Sequence, residues 1–266
     1  MKPAAAAASS GGGHPVLYHQ SLPSFSMPEW AAAAGYDGVI LDLQHGELGL
    51  EAACGILRSI PRGNAYAYAR VGSLDPAPIL RLLDSGARGV VAPTVESRAQ
   101  AEALVAAVKY LPVGNRSLGP SRPALYPLDA GDPADTYTAA GNRAVSAIAQ
   151  IETKAGVDRA EEIVSTPGLD SVYIGPADLA VSYGLPGRGD WEDGPVREAI
   201  VYLRELTTAH GVTLGIYSGR AEYAARLFAD GLVDYVGLGI DLVLLSRAFG
   251  DTVAALGPAR SLGSTS

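Results

Sequence analysis

The sequence predicts an α/β fold, a single (β/α)8 barrel, and three observations lead to that prediction. Eight short apolar runs, several flanked by glycine, recur along the chain. Helix-like amphipathic segments separate them, and this regular alternation favours a closed parallel barrel over an open doubly wound sheet. The chain has 266 residues, the usual size of one such barrel.

Each apolar run is short enough to be one buried strand. We expect strands at 16–18, 38–41, 65–69, 89–92, 145–151, 171–174, 213–217 and 235–238. We expect helices at 47–60, 76–84, 97–110, 156–164, 195–210 and 220–229, and an apolar last helix at 241–256. A long segment rich in proline, glycine and tyrosine interrupts the alternation at 111–143 and is typical of a functional loop.

The domain organisation predicted is one barrel at 15–257 between two flexible tails, 1–14 and 258–266. The net charge of -8 argues against nucleic-acid and anionic-membrane partners, which require a basic surface. Cys54 is the only cysteine, so no intramolecular disulfide can form and a cytoplasmic location is expected. Because Cys54 lies in a helical pattern, a small buried apolar side chain is favoured over a nucleophile.

Two carboxylates mark a candidate site, because each comes just after an apolar run. Glu152 follows 147–151, and Asp178 follows 172–177. Parallel strands that end in this way bring such residues to the carboxyl edge of the sheet, where α/β enzymes hold their chemistry. Carboxylate oxygens without competing thiolates suit Mg²⁺ or Mn²⁺. The alternative is that each acid caps the helix that follows it.

Three further polar residues lie at predicted strand ends. Asp42 and His45 follow the second strand, and histidine can transfer protons near neutral pH when a carboxylate orients it. A structural, hydrogen-bonded histidine is an equal alternative. Arg70 ends the third strand, where it could hold a carboxylate or a developing enolate oxygen. A salt bridge to an acid of the barrel is the alternative for Arg70.

The turn Gly175-Pro176-Ala177-Asp178 leads from a strand into a helix, and its backbone N–H groups could receive a carboxylate. Beside a metal it would hold a 2-oxo acid. Polarisation of the oxo group makes removal of a C3 proton easier, and this combination favours aldol chemistry.

Several separated motifs together resemble the HpcH/HpaI aldolase/citrate lyase family, and within it the class II pyruvate aldolases such as the 4-hydroxy-2-oxoheptanedioate and 2-dehydro-3-deoxyglucarate aldolases. The motifs are Asp42-Leu43-Gln44-His45-Gly46, Arg70, Lys109-Tyr110-Leu111-Pro112-Val113-Gly114-Asn115-Arg116-Ser117-Leu118-Gly119-Pro120, Gln150-Ile151-Glu152-Thr153 and Gly175-Pro176-Ala177-Asp178-Leu179-Ala180. They occur in order at compatible spacing, and the likeness extends from about Val16 to Phe249.

The resemblance implies a barrel that binds pyruvate through a divalent metal, Mg²⁺, Mn²⁺ or Co²⁺, and adds it to an aldehyde. It implies the metal ligands Glu152 and Asp178, the enolate-stabilising Arg70, and the acid/base group His45, which Asp42 or Asp84 would orient. Gln150 and the backbone of Gly175 to Asp178 would complete the pyruvate pocket. A homo-oligomer, commonly a hexamer with an exchanged C-terminal helix, is also implied.

Two other functions remain open at this point. A citramalyl- or malyl-CoA-type lyase of the same broad family would share both acidic ligands, but a basic surface for the phosphates of CoA is not evident in the sequence. A non-catalytic barrel that binds a metabolite is disfavoured because His45, Arg70, Glu152 and Asp178 are all present.

Overall fold

The computed structural model describes residues 13–60, 66–119 and 137–257, and within them it contains a closed barrel of eight parallel strands. The strands are β1 Val16–Gln20, β2 Gly38–Asp42, β3 Tyr66–Arg70, β4 Gly89–Ala92, β5 Ser146–Ile151, β6 Ser171–Ile174, β7 Thr213–Ser218 and β8 Tyr235–Ile240. Each strand pairs with its neighbours in sequence order, and β8 closes on β1. The predicted barrel is confirmed and each of the eight predicted strands is found, although residue 65 of the predicted strand at 65–69 lies outside the described residues.

Helices alternate with the strands, as the sequence predicts. They are α1 Met27–Ala33, α2 Leu50–Ser59, α3 Pro76–Ser85, α4 Arg98–Val108, α5 Tyr137–Ala144, α6 Lys154–Asp158, α7 Ala160–Val164, α8 Pro176–Ser182, α9 Gly194–His210, α10 Ala221–Ala229 and α11 Asp241–Ala254. The one helix expected at 156–164 is two short helices with Arg159 between them. Helices α1 and α5 were not predicted, and α8 was expected only as the helix that follows the turn at 175–178, without bounds.

The segment at 111–143 is not a loop throughout. Helix α5 occupies the carboxyl end of the segment. The first residues of the segment fold back on α4 through hydrogen bonds such as that from the Asn115 amide to the Ala106 carbonyl. The rest of this segment, 120–136, lies outside the described residues, as do residues 1–12 and 258–266 of the two expected tails. At the edge of the first tail, the His14 ring stacks on Phe228 at 4.5 Å between centroids.

The apolar core has an outer and an inner part. The outer part lies between the strands and the surrounding helices and includes Cys54, which is buried on α2 as predicted. The inner part fills the barrel with four aliphatic side chains and a set of tyrosines: Leu17, Ile40, Val91, Ile148, Tyr66, Tyr68, Tyr173, Tyr235 and the partly buried Tyr217. Glycines on neighbouring strands make room for these rings, since a Cβ at Gly215 would collide with the Tyr235 ring.

Helix α11 leaves its apolar side chains largely at the surface. Only Asp241 is buried on this helix, and its carboxylate accepts bonds from the backbone amides of Ser21 and Leu22 at 3.0 Å. Leu242, Val243, Leu244 and Phe249 are exposed. Among the described residues, no helix is both long enough and apolar enough to span a bilayer.

Candidate active site at the carboxyl end of the barrel

The strand register brings polar residues together at the carboxyl end of the barrel. Asp42 is paired with Arg70 across β2 and β3, and Gln150 is paired with Tyr173 across β5 and β6. Side chains alternate between the two faces of a strand, so the inward positions below this level are those of Ile40, Tyr68 and Ile148. The interior therefore changes from mainly apolar to polar within two residues along β2, β3 and β5.

Arg70 and Asp42 form a buried ion pair. Arg70 Nε donates to Asp42 Oδ1 at 3.0 Å, and Arg70 Nη2 donates to Asp42 Oδ2 at 2.6 Å. The alternative of a salt bridge to a barrel acid is therefore present in the structure. Its geometry leaves the third guanidinium nitrogen, Nη1, with no hydrogen bond to any described residue, so Arg70 keeps a charged donor for a ligand.

The charges of this pair are stable around neutral pH. Burial alone would raise the pKa of Asp42, but the Arg70 hydrogen bonds and charge, with the His45 amide, hold it below its ordinary value. Burial opposes the charge of Arg70, yet its pKa is raised by Asp42 and, to a smaller extent, by Tyr173 and Glu152. Arg70 therefore acts as a fixed cation close to Glu152.

Glu152 is buried directly after β5 and is held by its neighbours. Its Oε1 accepts bonds from the Thr94 amide at 2.8 Å and from Thr94 Oγ1 at 2.9 Å, while Gln150 Nε2 donates to Oε2. Gly175 faces this carboxylate, because a Cβ there would lie 2.6 Å from Glu152 Oε2. The cap of α6 is Thr153, whose side chain accepts from the Gly156 amide, so Glu152 is not a helix cap.

Asp178 lies in the first turn of α8, which starts directly after β6. The N-cap position of this helix is Gly175, so Asp178 is not its N-cap, and no ion pair of Asp178 occurs within the described residues. It is exposed, unlike Glu152. The position suits the helix dipole, and the carboxylate oxygens stay available to a ligand.

No hydrogen bond joins the side chains of His45 and Asp84 in the described residues. The His45 ring is exposed and forms no hydrogen bond with a described residue, although its amide donates to Asp42 Oδ1 at 3.2 Å. Asp84 pairs with Arg116 at 2.6 Å. Both carboxylates named as possible partners of His45 are thus held by arginines, and the orientation of His45 by either one stays a prediction.

Three residues that the sequence did not single out also belong to this region. Thr94 donates the two hydrogen bonds that Glu152 Oε1 accepts, and its backbone has a positive φ of 52°. His19 of β1 and Tyr173 of β6 are buried and hydrogen bonded at 2.8 Å between Nε2 and Oη. Alternation along β1 places His19 on the same face as Leu17, which could have indicated an inward position.

The donor set fits a hard divalent cation that takes its remaining ligands from water and substrate. No group of three or more His, Cys, Asp or Glu residues that could hold a metal occurs in the described parts of the chain. Two carboxylates at neighbouring strand ends are nevertheless the pattern expected for Mg²⁺, which keeps several water ligands. The Glu152 carboxylate is anchored by hydrogen bonds, as ligating carboxylates usually are.

Comparison with known proteins identifies close relatives of the whole barrel. The model of the HpcH/HpaI aldolase/citrate lyase family matches residues 17–248. A hydroxypyruvate/pyruvate aldolase of Rhizorhabdus wittichii is 37% identical over 233 residues, which are 88% of this chain and 90% of the relative. A 4-hydroxy-2-oxovalerate aldolase of Novosphingobium aromaticivorans is 35% identical over 84% of this chain and 82% of its own.

The fold is also similar to solved structures. An HpcH/HpaI aldolase from Desulfitobacterium hafniense superposes with a TM-score of 0.83 over 93% of this chain and 94% of that one. At 23% identity, that likeness supports the barrel fold alone.

Proposed function

Because this chain belongs to the HpcH/HpaI aldolase/citrate lyase family, we propose that it is a divalent-metal-dependent aldolase that reversibly cleaves a 4-hydroxy-2-oxo acid into pyruvate and an aldehyde. Relatives named hydroxypyruvate/pyruvate aldolase and 4-hydroxy-2-oxovalerate aldolase match more than four fifths of the chain. The observation that carries the proposal is the charge arrangement at the carboxyl end of the barrel, where the Arg70 guanidinium at the end of β3 and the anchored Glu152 carboxylate after β5 lie on either side of β4.

Glu152 and Asp178 are the proposed metal ligands, with Mg²⁺, Mn²⁺ or Co²⁺ as candidate ions. A bound cation would polarise the 2-oxo group of pyruvate and make loss of a methyl proton easier. Thr94 and Gln150 fix the Glu152 carboxylate, so it is held in place before a ligand arrives. Because the carboxylate is already fixed, little side-chain conformational entropy would be lost when a ligand binds to it.

Arg70 is the proposed stabiliser of the enolate. Asp42 holds two of its nitrogens, and Nη1 is left to donate to the oxygen on which negative charge develops. A charged donor fixed before the reaction favours the transition state over the ground state. His45 is the proposed acid/base group, since its ring is exposed near the same strand ends. Gln150 and the backbone of Gly175 to Asp178 complete the proposed pyruvate pocket.

A homo-oligomer is also proposed. The exposed apolar face of α11, formed by Leu242, Val243, Leu244 and Phe249, supports a subunit contact there, and the resemblance suggests a hexamer. Multi-angle light scattering would give the mass, and a monomer at micromolar concentration would contradict this proposal.

Solvent deuterium incorporation into the methyl group of pyruvate tests the activity without knowledge of the aldehyde. The chelator-treated protein should show no exchange by proton NMR, and addition of Mg²⁺, Mn²⁺ or Co²⁺ should start it. Asp178→Asn should abolish the metal-dependent exchange, whereas the matched control Asp158→Asn removes an exposed carboxylate that pairs with Lys154 and should exchange normally. Folded wild-type protein that exchanges with none of these metals would contradict the proposed function and favour a CoA-ester lyase or a non-catalytic binder.

A further inference from the structure

A buried histidine and a buried tyrosine bridge the barrel interior near Arg70. His19 of β1 and Tyr173 of β6 are 2% and 1% exposed. Their hydrogen bond joins residues 154 positions apart in the sequence. The Tyr217 ring meets His19 edge-on at 5.4 Å between centroids. The imidazole is therefore enclosed by rings from two other strands.

The barrel wall is shaped to admit this pair. Gly237 of β8 faces it, and a Cβ at this position would lie 2.7 Å from His19 Nε2 and would collide with the Tyr173 hydroxyl. Any other residue at 237 would displace one of the two rings. The close approach of these groups to the backbone of β8 leaves the pair little freedom to move.

Inward side chains from alternate strands share a layer in a (β/α)8 barrel, so the register places His19 in the layer of Arg70 and Gln150, and Tyr173 in the layer just below it. His19 is paired with Ile40, the inward residue that precedes Asp42 on β2 by two positions. Tyr173 is paired with Gln150, whose amide binds Glu152. The Tyr173 ring therefore lies below the layer that holds Arg70 and is hydrogen bonded to His19 within that layer.

Both rings are neutral and respond to the charge of Arg70. Burial, and then the Arg70 charge, lower the pKa of His19 to about 3, while Asp42 acts in the opposite direction. Burial raises the pKa of Tyr173 well above its ordinary value, and Arg70 opposes this rise. The groups that face His19 are thus Arg70, Asp42, Tyr173 and Tyr217, and the imidazole carries no charge at neutral pH.

We propose that His19 and Tyr173 are positioning residues for the enolisation step: their hydrogen bond forms a rigid, neutral support, with His19 beside the Arg70 side chain and Tyr173 below it, that keeps Nη1 where it meets the substrate oxygen. This inference rests on the proposed function. Flexible aliphatic side chains at these two positions would let the guanidinium tilt, whereas a protonated His19 would repel it. Since small displacements of a catalytic group strongly reduce rates, the pair should act on turnover and not on ground-state binding.

Tyr173→Phe removes one hydroxyl and keeps the ring, so the variant should fold. We expect kcat for metal-dependent deuterium exchange into pyruvate to fall about 10-fold, with KM for pyruvate within about twofold of the wild type. The matched control is Tyr235→Phe, because Tyr235 is also buried in the barrel and its hydroxyl bonds to Ser171 Oγ at 3.0 Å. Tyr235→Phe should lower the Tm by a similar amount and leave kcat unchanged.

His19→Gln and His19→Leu complete the test. Glutamine can keep a hydrogen bond to the Tyr173 hydroxyl and should retain more activity than leucine, by about 10-fold in kcat. Equal kcat values for Tyr173→Phe and wild type, or an equal decrease in Tyr173→Phe and Tyr235→Phe, would overturn the positioning role while the proposed function stands. Absence of exchange in the folded wild type would overturn the proposed function, and this inference with it.

Discussion

The two halves of the barrel interior use the same strands for different purposes. In the amino-terminal half, Leu17, Ile40 and Ile148 are fully buried and only pack. In the carboxyl-terminal half, the next inward positions are His19, Asp42 and Gln150, which are equally buried but hydrogen bonded. Burial alone therefore does not distinguish the packed half from the half that holds the proposed active site, the reactive half. The difference lies in whether the buried groups are polar and leave donors or acceptors for a ligand.

Polar groups buried at this density need partners, and most of them have one. Asp42 accepts from Arg70 and from two backbone amides, and Glu152 accepts from Thr94 and Gln150. Exceptions inside the barrel are His19 Nδ1, Gln150 Oε1 and Ser146 Oγ, which have no hydrogen bond within the described residues. Unpaired buried polar atoms are uncommon in proteins, and two of these three occur in the carboxyl-terminal half.

The largest effect is expected from Glu152→Gln, which alters the charge of the reactive half and keeps its shape. The amide is a much weaker ligand for a hard cation, and loss of metal assistance is worth several kcal/mol in the transition state. We therefore expect pyruvate exchange to fall at least about 10³-fold. Exchange kinetics at saturating Mn²⁺, with Mn²⁺ binding followed by electron paramagnetic resonance, would measure both losses.

The unrelated exposed change Glu161→Gln is the control for Glu152→Gln. Glu161 pairs with His210 on the outer surface, so the variant should bind metal and exchange as the wild type does. Normal metal binding by Glu152→Gln would remove Glu152 from the proposed ligand set.

The sequence predicted the strands well because each strand is a short apolar run whose position depends on local composition. Helix α1 was missed although it has a local start signal, Ser26 with Pro28 in the first turn. Helix α8 was expected after the turn Gly175-Pro176-Ala177-Asp178 but begins within it, at Pro176, a residue typical of the first turn of a helix. Local signals therefore existed for both helices.

The contacts between strands could not be obtained from the sequence in the same way. Asp42 and Arg70 were each found at a strand end, but their pairing depends on the register of β2 and β3. The bond between His19 and Tyr173 depends on closure of the barrel, and the support of Glu152 by Thr94 depends on how β4 lies beside β5. Residue types indicated which groups could react, and only the three-dimensional arrangement showed which groups hold them.

A smaller effect is expected from pH, and it should come from the carboxyl-terminal half. The pKa of His19 falls from 6.5 to about 3 on folding, so the folded protein binds fewer protons than the unfolded chain between these values. Above about pH 6.5 the imidazole is neutral in both states and does not oppose folding. Below that value the unfolded chain binds a proton that the folded protein does not, so the free energy of unfolding should fall by roughly 1.4 kcal/mol per pH unit. Urea unfolding at pH 7.5, 6.0 and 5.0 would measure it.

The matched variant for the pH prediction is His19→Gln, which cannot titrate. The other groups that lose stability in acid, Asp42 among them, are present in both proteins, so the difference between the two curves isolates His19. We expect the wild type to lose stability relative to His19→Gln as the pH falls. Parallel curves would show that the imidazole is not buried in its neutral form.

The smallest effect is expected from Ile148→Val in the amino-terminal half. Ile148 is fully buried, and its Cδ1 lies close to Gly89, so the change removes one methylene from a tightly packed region. The expected loss is about 1 kcal/mol in the free energy of unfolding, with no change in the rate of pyruvate exchange. Because Ile148 is only two residues before Gln150 on the same strand, an altered exchange rate would show that packing in the lower half positions the reactive half. An unaltered exchange rate with a lower free energy of unfolding would show that packing in the amino-terminal half stabilises the fold without affecting the groups of the carboxyl-terminal half.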